Sequence, residues 1–245
     1  MIVQACINGA RAAAFHPALP LTPEAMAADA LACIAAGAGE IHLHVRGPDG
    51  RESLAAEAMD ATIRRLRAAV PGTLVGISTG EWIEQSEART LSAIAAWCEL
   101  PDYASVNLSE AAAPAVMRAL SARGVGIEAG LASVADAERF AGLVLERPPL
   151  RILVEIGEQD VGEAEAVADG IHRVLARVGL RRPVQLHGMD ATVWPLVRRA
   201  AARRWSTRVG LEDGRMLPDG TVAPNNAALV RAAVEIYRQA RAAFQ

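Results

Sequence analysis

The sequence predicts an α/β protein, a (β/α)8 TIM barrel in which a single domain takes up residues 1–245. Short apolar runs alternate with longer amphipathic ones eight times along the chain, the signature of βα units and a parallel sheet. The length of 245 residues falls where single α/β barrels commonly fall, at roughly 200–250. The composition is 52% hydrophobic but only 4% aromatic, and 52 residues are Ala. That describes a tightly packed helical shell over a moderate core and excludes disorder.

The elements follow in order. A first strand over residues 2–7 leads to a well-punctuated helix: Thr22 can cap it, Pro23 suits its first position, Glu24 favours its positive end, and Gly37 follows its last apolar turn near Ala36. The second strand, 40–45, sets Leu43 and Val45 on one face and His42, His44 and Arg46 on the other, and a helix over 54–70 follows. Strands over 74–77, 103–107 and 125–128 precede helices over 83–97, 112–123 and 133–145. Strands over 150–155, 184–186 and 207–210 precede helices over 162–178, 192–203 and 225–244. Eight strands each followed by a helix close naturally into a barrel, and chemistry then belongs where the strands end and the βα loops begin.

Composition excludes several functions. The 25 cationic side chains against 28 anionic ones give a net charge of −3, so no basic stripe supports nucleic-acid or polybasic membrane binding, and a small-molecule partner is expected. All 25 cations are Arg. Schiff-base chemistry, a lysine-anchored pyridoxal phosphate and the P-loop lysine are therefore excluded, and a carbonyl-activating enzyme would need another electrophile, usually a metal ion. Cys6, Cys33 and Cys98 form no CxxC pair and read as reduced core residues. The N-terminal MIVQACINGA lacks the features of a signal peptide and no long apolar run is free of charges, so a cytoplasmic location is expected.

The strongest local signal is IHLHVR. Residues two apart on a strand point the same way, so His42 and His44 face the barrel interior together. Two imidazoles plus one carboxylate, with open positions, make a catalytic site for zinc or a similar divalent cation, and Glu212 in RVGLED is the expected carboxylate. That run also brings Arg208 and Asp213 to the end of the last strand, where Gly210 allows a sharp exit. Taken singly, an HxH pair also fits two hydrogen-bonded core histidines, and RVGLED also fits a salt-bridged barrel lip; their places on the second and last strands make the pair more informative. Ser78 and Thr79 in GISTGEW offer hydroxyls and backbone N–H groups for a carboxylate or phosphate, or a helix cap. His16 reads as loop structure and His172 as the outside of a helix, while His187 could line the pocket, ligate metal or cap a loop.

In order along the chain, IHLHVRGPDGR, ISTGEW, SVNLSE and RVGLEDG resemble the β-keto acid cleavage enzymes, from NGAR near the start to RVGLED near the end. The resemblance implies a zinc-dependent (β/α)8 barrel that uses acetyl-CoA to convert a β-keto acid to an acyl-CoA plus acetoacetate, and it favours a homotetramer. It makes His42, His44 and Glu212 the metal ligands and gives Ser78 the substrate carboxylate. It places Ser105, where a Thr is more usual, and Asn107 among the polar substrate contacts. It makes Arg208 and Asp213, supported by Glu128, the relay that deprotonates the keto acid.

This chain departs from the family's pattern in places. Arg11 stands where an acid is expected after NGA, so Arg11 and Arg46 become candidates for binding an anionic substrate tail, and Arg11 could equally pair with a neighbouring acid. Glu81 stands where a second Gly is common, and the loop after SVNLSE is short. Which β-keto acid is cleaved stays open. Two other readings remain: a metal-dependent hydrolase or lyase on the same barrel, and a non-catalytic barrel in which Arg11, Arg46 and Arg208 hold an anionic metabolite.

Overall fold

The computed structural model describes residues 1–242. Eight parallel strands form a closed barrel in sequence order, β1 (Val3–Cys6), β2 (Glu40–Leu43), β3 (Leu74–Ser78), β4 (Tyr103–Asn107), β5 (Gly126–Leu131), β6 (Arg151–Ile156), β7 (Val184–Gly188) and β8 (Ser206–Val209), with β8 closing on β1. Around them lie α1 (Pro23–Ala35), α2 (Ala56–Ala69), α3 (Glu81–Glu84), α4 (Glu87–Ala96), α5 (Ala113–Ala122), α6 (Val134–Ala141), α7 (Val161–Arg177), α8 (Val193–Ala202) and α9 (Asn226–Ala242). Among the described residues no helix is long and apolar enough to cross a membrane.

Strand alternation explains the layering. Outward residues such as Ile41, Leu43, Val75, Ile77, Ala104 and Val106 are buried against helices, each large aliphatic side chain contributing about 1.5–3 kcal/mol. The inward residues of the same strands are polar, and they build two layers inside the barrel. The helices start as their sequences dictate: Thr22 caps α1 by accepting from Ala25 N at 3.2 Å, Ser133 caps α6, and Asp160 caps α7.

The differences from expectation are local. The expected helix over 83–97 is two pieces, because Gln85 adopts a left-handed conformation (φ +54°) that ends α3 and Ser86 caps α4. The short α3 buries none of its four residues. The strand expected to end at Glu128 continues to Leu131, carried by pairing of Asn107 with Gly130 and of Leu131 with Val154. α6 stops at Ala141 instead of reaching 145, and residues 190–192 form a 3-10 turn before α8. The last helix is described to Ala242; its expected continuation to Phe244 lies outside the described residues. Cys6 and Cys33 are buried, but Cys98 is exposed just past α4, not a core residue.

Candidate active site

His42 lies one residue before the end of β2 and His44 one residue after it, so both imidazoles project at the C-terminal mouth. Asn8 fixes this exit: its Oδ1 accepts from His44 N at 2.8 Å and its Nδ2 donates to His44 O at 2.9 Å. On the other side of β1, β8 leaves the barrel through Gly210, where a Cβ would stand 1.9 Å from the carbonyl oxygen of Cys6, so only glycine lets the turn press against β1. Asn226 pins that turn, accepting from Leu211 N at 2.7 Å and donating to Ile7 O at 2.8 Å. Gly9 leaves room in the same way: its φ is +55° and a Cβ would lie 2.4 Å from Glu212 Cγ.

This backbone sets Glu212 between the two histidines. Glu212 Oε2 is 3.8 Å from His42 Nε2 and Oε1 is 3.4 Å from His44 Nε2; one ligand atom from each residue lies within 4.8 Å of the other two. Both ring nitrogens of His42 and Glu212 Oε2 are buried without a hydrogen-bond partner. Unpaired polar atoms in such burial are costly, and a cation shared among them is what their chemistry fits. Burial outweighs the attraction of Glu212 and lowers the pKa of His42 to about 3, so this ring is neutral and able to ligate. Burial also disfavours charge on His44, but Glu212 and Glu52 overcome it and raise its pKa to about 9.

Arg208 stands behind the triad. It donates to Glu212 Oε1 at 2.7 Å and to Asp213 Oδ1 at 2.8 Å, and Glu155 Oε2 lies 3.6 Å away. His187 bridges Asp213 Oδ1 at 3.3 Å and Glu155 Oε2 at 3.2 Å. Burial opposes ionisation of Glu155, yet the hydrogen bond from His187 and the charge of Arg208 bring its pKa down to about 2. Glu212 is likewise held well below the carboxylate range by Arg208, His44 and His42 against its own burial.

The cavity in front of these groups has a volume of about 410 Å³ and is lined by Arg11, His42, His44, Ser78, Trp82, Ser105, Asn107, Glu155, Arg208 and Glu212, among others. Not every expected residue is brought to it. Thr79 donates to Ser105 O at 2.8 Å and lines a neighbouring pocket with Glu81, Glu87 and Glu110. Arg46 is a buried clamp whose guanidinium donates to the carbonyls of Gly9 and Arg11, and it lines a recess with Arg51 and Glu52. Asp213 is wholly buried behind Arg208 and does not line the cavity. Arg11 lines it, but its guanidinium is also tied to Asp190 at 3.2 Å and to Glu212 O at 3.0 Å.

Glu128 faces the interior one layer lower, where it meets Arg151 at 3.0 Å and Gln4 at 3.3 Å; the charge of Arg208 still reaches it, while the acids in direct contact with Arg208 are Glu212, Asp213 and, at 3.6 Å, Glu155. His187 is part of the network around Arg208, not of the metal triad. His16 is loop structure, accepting from Ala18 N and bonded to Ala223 O, and His172 packs on Trp205 outside the barrel. Sequence reasoning passed over Glu52, whose signal was the turn sequence GPDG beginning five residues after His42, a hairpin that returns the chain to the histidines.

A family model described as beta-keto acid cleavage enzyme matches residues 1–244. The chain belongs to the β-keto acid cleavage enzyme family. A 3-keto-5-aminohexanoate cleavage enzyme of Fusobacterium nucleatum is 38% identical over 81 residues, a stretch that makes up 33% of this family member and 30% of that relative. Among solved structures, the apo structure of ObcA superposes with a TM-score of 0.73 at 18% identity, covering 89% of this chain and 61% of that one. The ternary complex of ObcA with a C4-CoA adduct and oxalate gives 0.74 at 17% identity, covering 93% and 67%. At such identities the superpositions speak for the barrel, and this family member spans about two thirds of the ObcA length.

Proposed function

We propose that this chain is a metal-dependent β-keto acid cleavage enzyme, a retro-Claisen C-acyltransferase that converts a β-keto acid plus acetyl-CoA to an acyl-CoA plus acetoacetate. The observation that carries this reading is the convergence of His42, His44 and Glu212, with both nitrogens of His42 and one oxygen of Glu212 lacking partners, inside a chain matched throughout by the family. His42, His44 and Glu212 would hold the ion, zinc or another divalent cation, in the open two-imidazole, one-carboxylate arrangement of catalytic sites. When bound, the ion supplies a Lewis acid for the ketone and carboxylate oxygens of the substrate.

The chain's own residues do the rest. Ser78, Ser105 and Asn107, on the cavity wall formed by β3 and β4, would hold the substrate carboxylate and fix its orientation. Asp213 takes the proton that leaves the keto acid, and Arg208 holds it in place at 2.8 Å. Because Asp213 is buried behind Arg208, Glu155, which lines the cavity and touches both Arg208 and His187, carries the proton between substrate and Asp213. The proposal includes the single catalytic domain over residues 1–245, acetyl-CoA as second substrate, and assembly as a cytoplasmic homotetramer.

The test is metal content of untagged protein by plasma mass spectrometry, beside Glu212→Ala purified identically. About one ion per chain, lost in the variant, is expected, followed by acetoacetate release from β-keto acids only when acetyl-CoA is supplied. Turnover without acetyl-CoA would point to a metal-dependent hydrolase or lyase. Protein that fails to take up zinc, cobalt or manganese would sink the enzyme reading and leave an anion-binding barrel.

A further inference from the structure

The carboxylate of Glu52 lies outside the triad, yet both of its oxygens are committed to the site. Oε1 is 2.5 Å from His44 Nδ1, and Oε2 accepts from Trp82 Nε1 at 3.0 Å. The Trp82 indole in turn lies over the His44 ring, stacked at 6.3 Å between centroids with 24° between planes. His44 is thus held at its edge by a carboxylate and on its face by an aromatic ring, and that same carboxylate holds the aromatic ring. His42 has no comparable support, since neither of its ring nitrogens has a hydrogen-bond partner.

The loop after β2 makes this possible. Arg46 and Glu52 pair as an antiparallel bridge, Gly47 N donates to Arg51 O at 2.8 Å and Ser53 N donates to Val45 O at 3.0 Å, so the GPDG turn folds the chain back on His44. The Glu52 side chain is only 12% exposed, a position a carboxylate occupies when it is paired. Trp82 comes from α3 and separates three spaces: the triad cavity, the recess lined by Arg11, Arg46 and Arg51, and the pocket lined by Glu81, Glu87 and Glu110.

We propose that Glu52 is the positioning residue of this centre: it commits Nδ1 of His44 as a hydrogen-bond donor, aims Nε2 at Glu212, and ties that orientation to the Trp82 wall at the cavity mouth. This rests on the metal-site reading above and adds to it a residue that no ligand motif contains. A carboxylate on the far nitrogen of a ligating histidine fixes the ring and raises its basicity, and loss of such a partner typically costs about 10–100-fold in metal affinity. Because Glu52 also holds Trp82, a substitution at the wall is felt at the ligand.

The experiment titrates metal-free protein with Co²⁺ against a competing chelator and follows the visible absorption of the bound ion. Glu52→Ala is expected to weaken Co²⁺ binding about 10–100-fold and change the spectrum. Glu52→Gln keeps an acceptor for Nδ1 and recovers most of both, which a general loss of structure would not do. Trp82→Phe keeps the stacked ring without the N–H donor, and is expected to weaken binding less than Glu52→Ala while shifting the spectrum the same way. Wild-type affinity and an unchanged spectrum in Glu52→Ala would overturn the proposal. If the wild-type protein takes up no Co²⁺, the metal reading fails by itself, and Glu52 is judged in the metal-free protein by nitrogen-15 NMR. An exchange-protected Nδ1–H of His44 that disappears in Glu52→Ala supports the positioning role, and its absence from wild-type protein refutes it.

Discussion

At the floor of the barrel, Glu40 and Glu128 lie against the Arg151 guanidinium, which also sits over the Tyr103 ring at 4.9 Å. Gln4 donates to Tyr103 Oη at 2.7 Å and accepts from Gln185 at 2.8 Å, Arg151 donates to Gln185 at 3.1 Å, and Tyr103 donates to Ile41 O at 2.9 Å. At the mouth, Glu52, Glu155, Glu212 and Asp213 surround Arg208 and three histidines, and neither ring nitrogen of His42 has a hydrogen-bond partner. Both layers bury charge inside one sheet and both leave single atoms unpaired, among them Glu128 Oε2 on the floor, but each floor carboxylate touches Arg151, whereas at the mouth the whole His42 imidazole goes without a hydrogen bond beside an unpaired Glu212 Oε2. The difference teaches where to look for function: buried charge is common to both layers, and a pair of imidazoles converging on a carboxylate with an unpaired oxygen belongs to the mouth.

Substitutions can break or sharpen this contrast. The largest effect is expected from Glu212→Ala: bound metal falls from about one ion per chain to background, read by plasma mass spectrometry, while Arg208 keeps its bond to Asp213 and the apo protein stays folded by circular dichroism. Arg151→Ala should do the reverse. It leaves Glu40 and Glu128 buried without their cation and should destabilise the fold by about 3–5 kcal/mol in urea, with metal stoichiometry unchanged. Tyr103→Phe removes a hydroxyl that both accepts and donates in the floor, and a loss of about 1–2 kcal/mol in the same assay is expected.

The smallest effects are on pH slopes, and they have opposite signs. Glu155 has its pKa lowered to about 2, so it contributes stability above its ordinary value near 4.5 and loses that contribution as pH falls toward 2. The stability gap between wild type and Glu155→Gln should therefore narrow over that window. Burial raises the pKa of Glu128 above the same ordinary value, against the pull of Arg151, so its ionisation weighs against the fold as pH rises through the raised pKa. Glu128→Gln should gain on wild type with rising pH. Parallel slopes for the two variants would erase the distinction between the layers.

The contrast also marks what was legible in the sequence. Alternation along a strand tells which face a residue takes, so the inward set of His42, His44, Ser105, Asn107, Arg208 and Glu128 was readable, as were the bounds of the strand Tyr103–Asn107. Alternation does not tell height within the barrel, which is set by register: pairing of Glu128 with Arg151 puts this acid on the floor, below the relay it resembled. The strand expected over 125–128 stopped short of Gly130, a residue type that weakens strands, yet pairing of Gly130 with Asn107 and Leu153 carries β5 to Leu131. Gln85 gave no warning that it would turn left-handed and split a helix, since that conformation is a glycine habit. Glu52 was hidden because its role depends on two contacts made from different loops.

The brevity of α3 bears on how such an enzyme tolerates change. Its four residues leave the barrel wall after Gly80 and return at Gln85, none of them fully buried, yet one is the tryptophan that bounds the triad cavity and two spaces beside it. Of its side chains only Ile83 packs on the core, so substitution at Glu81 or Trp82 is expected to reshape those spaces at little cost in folding stability.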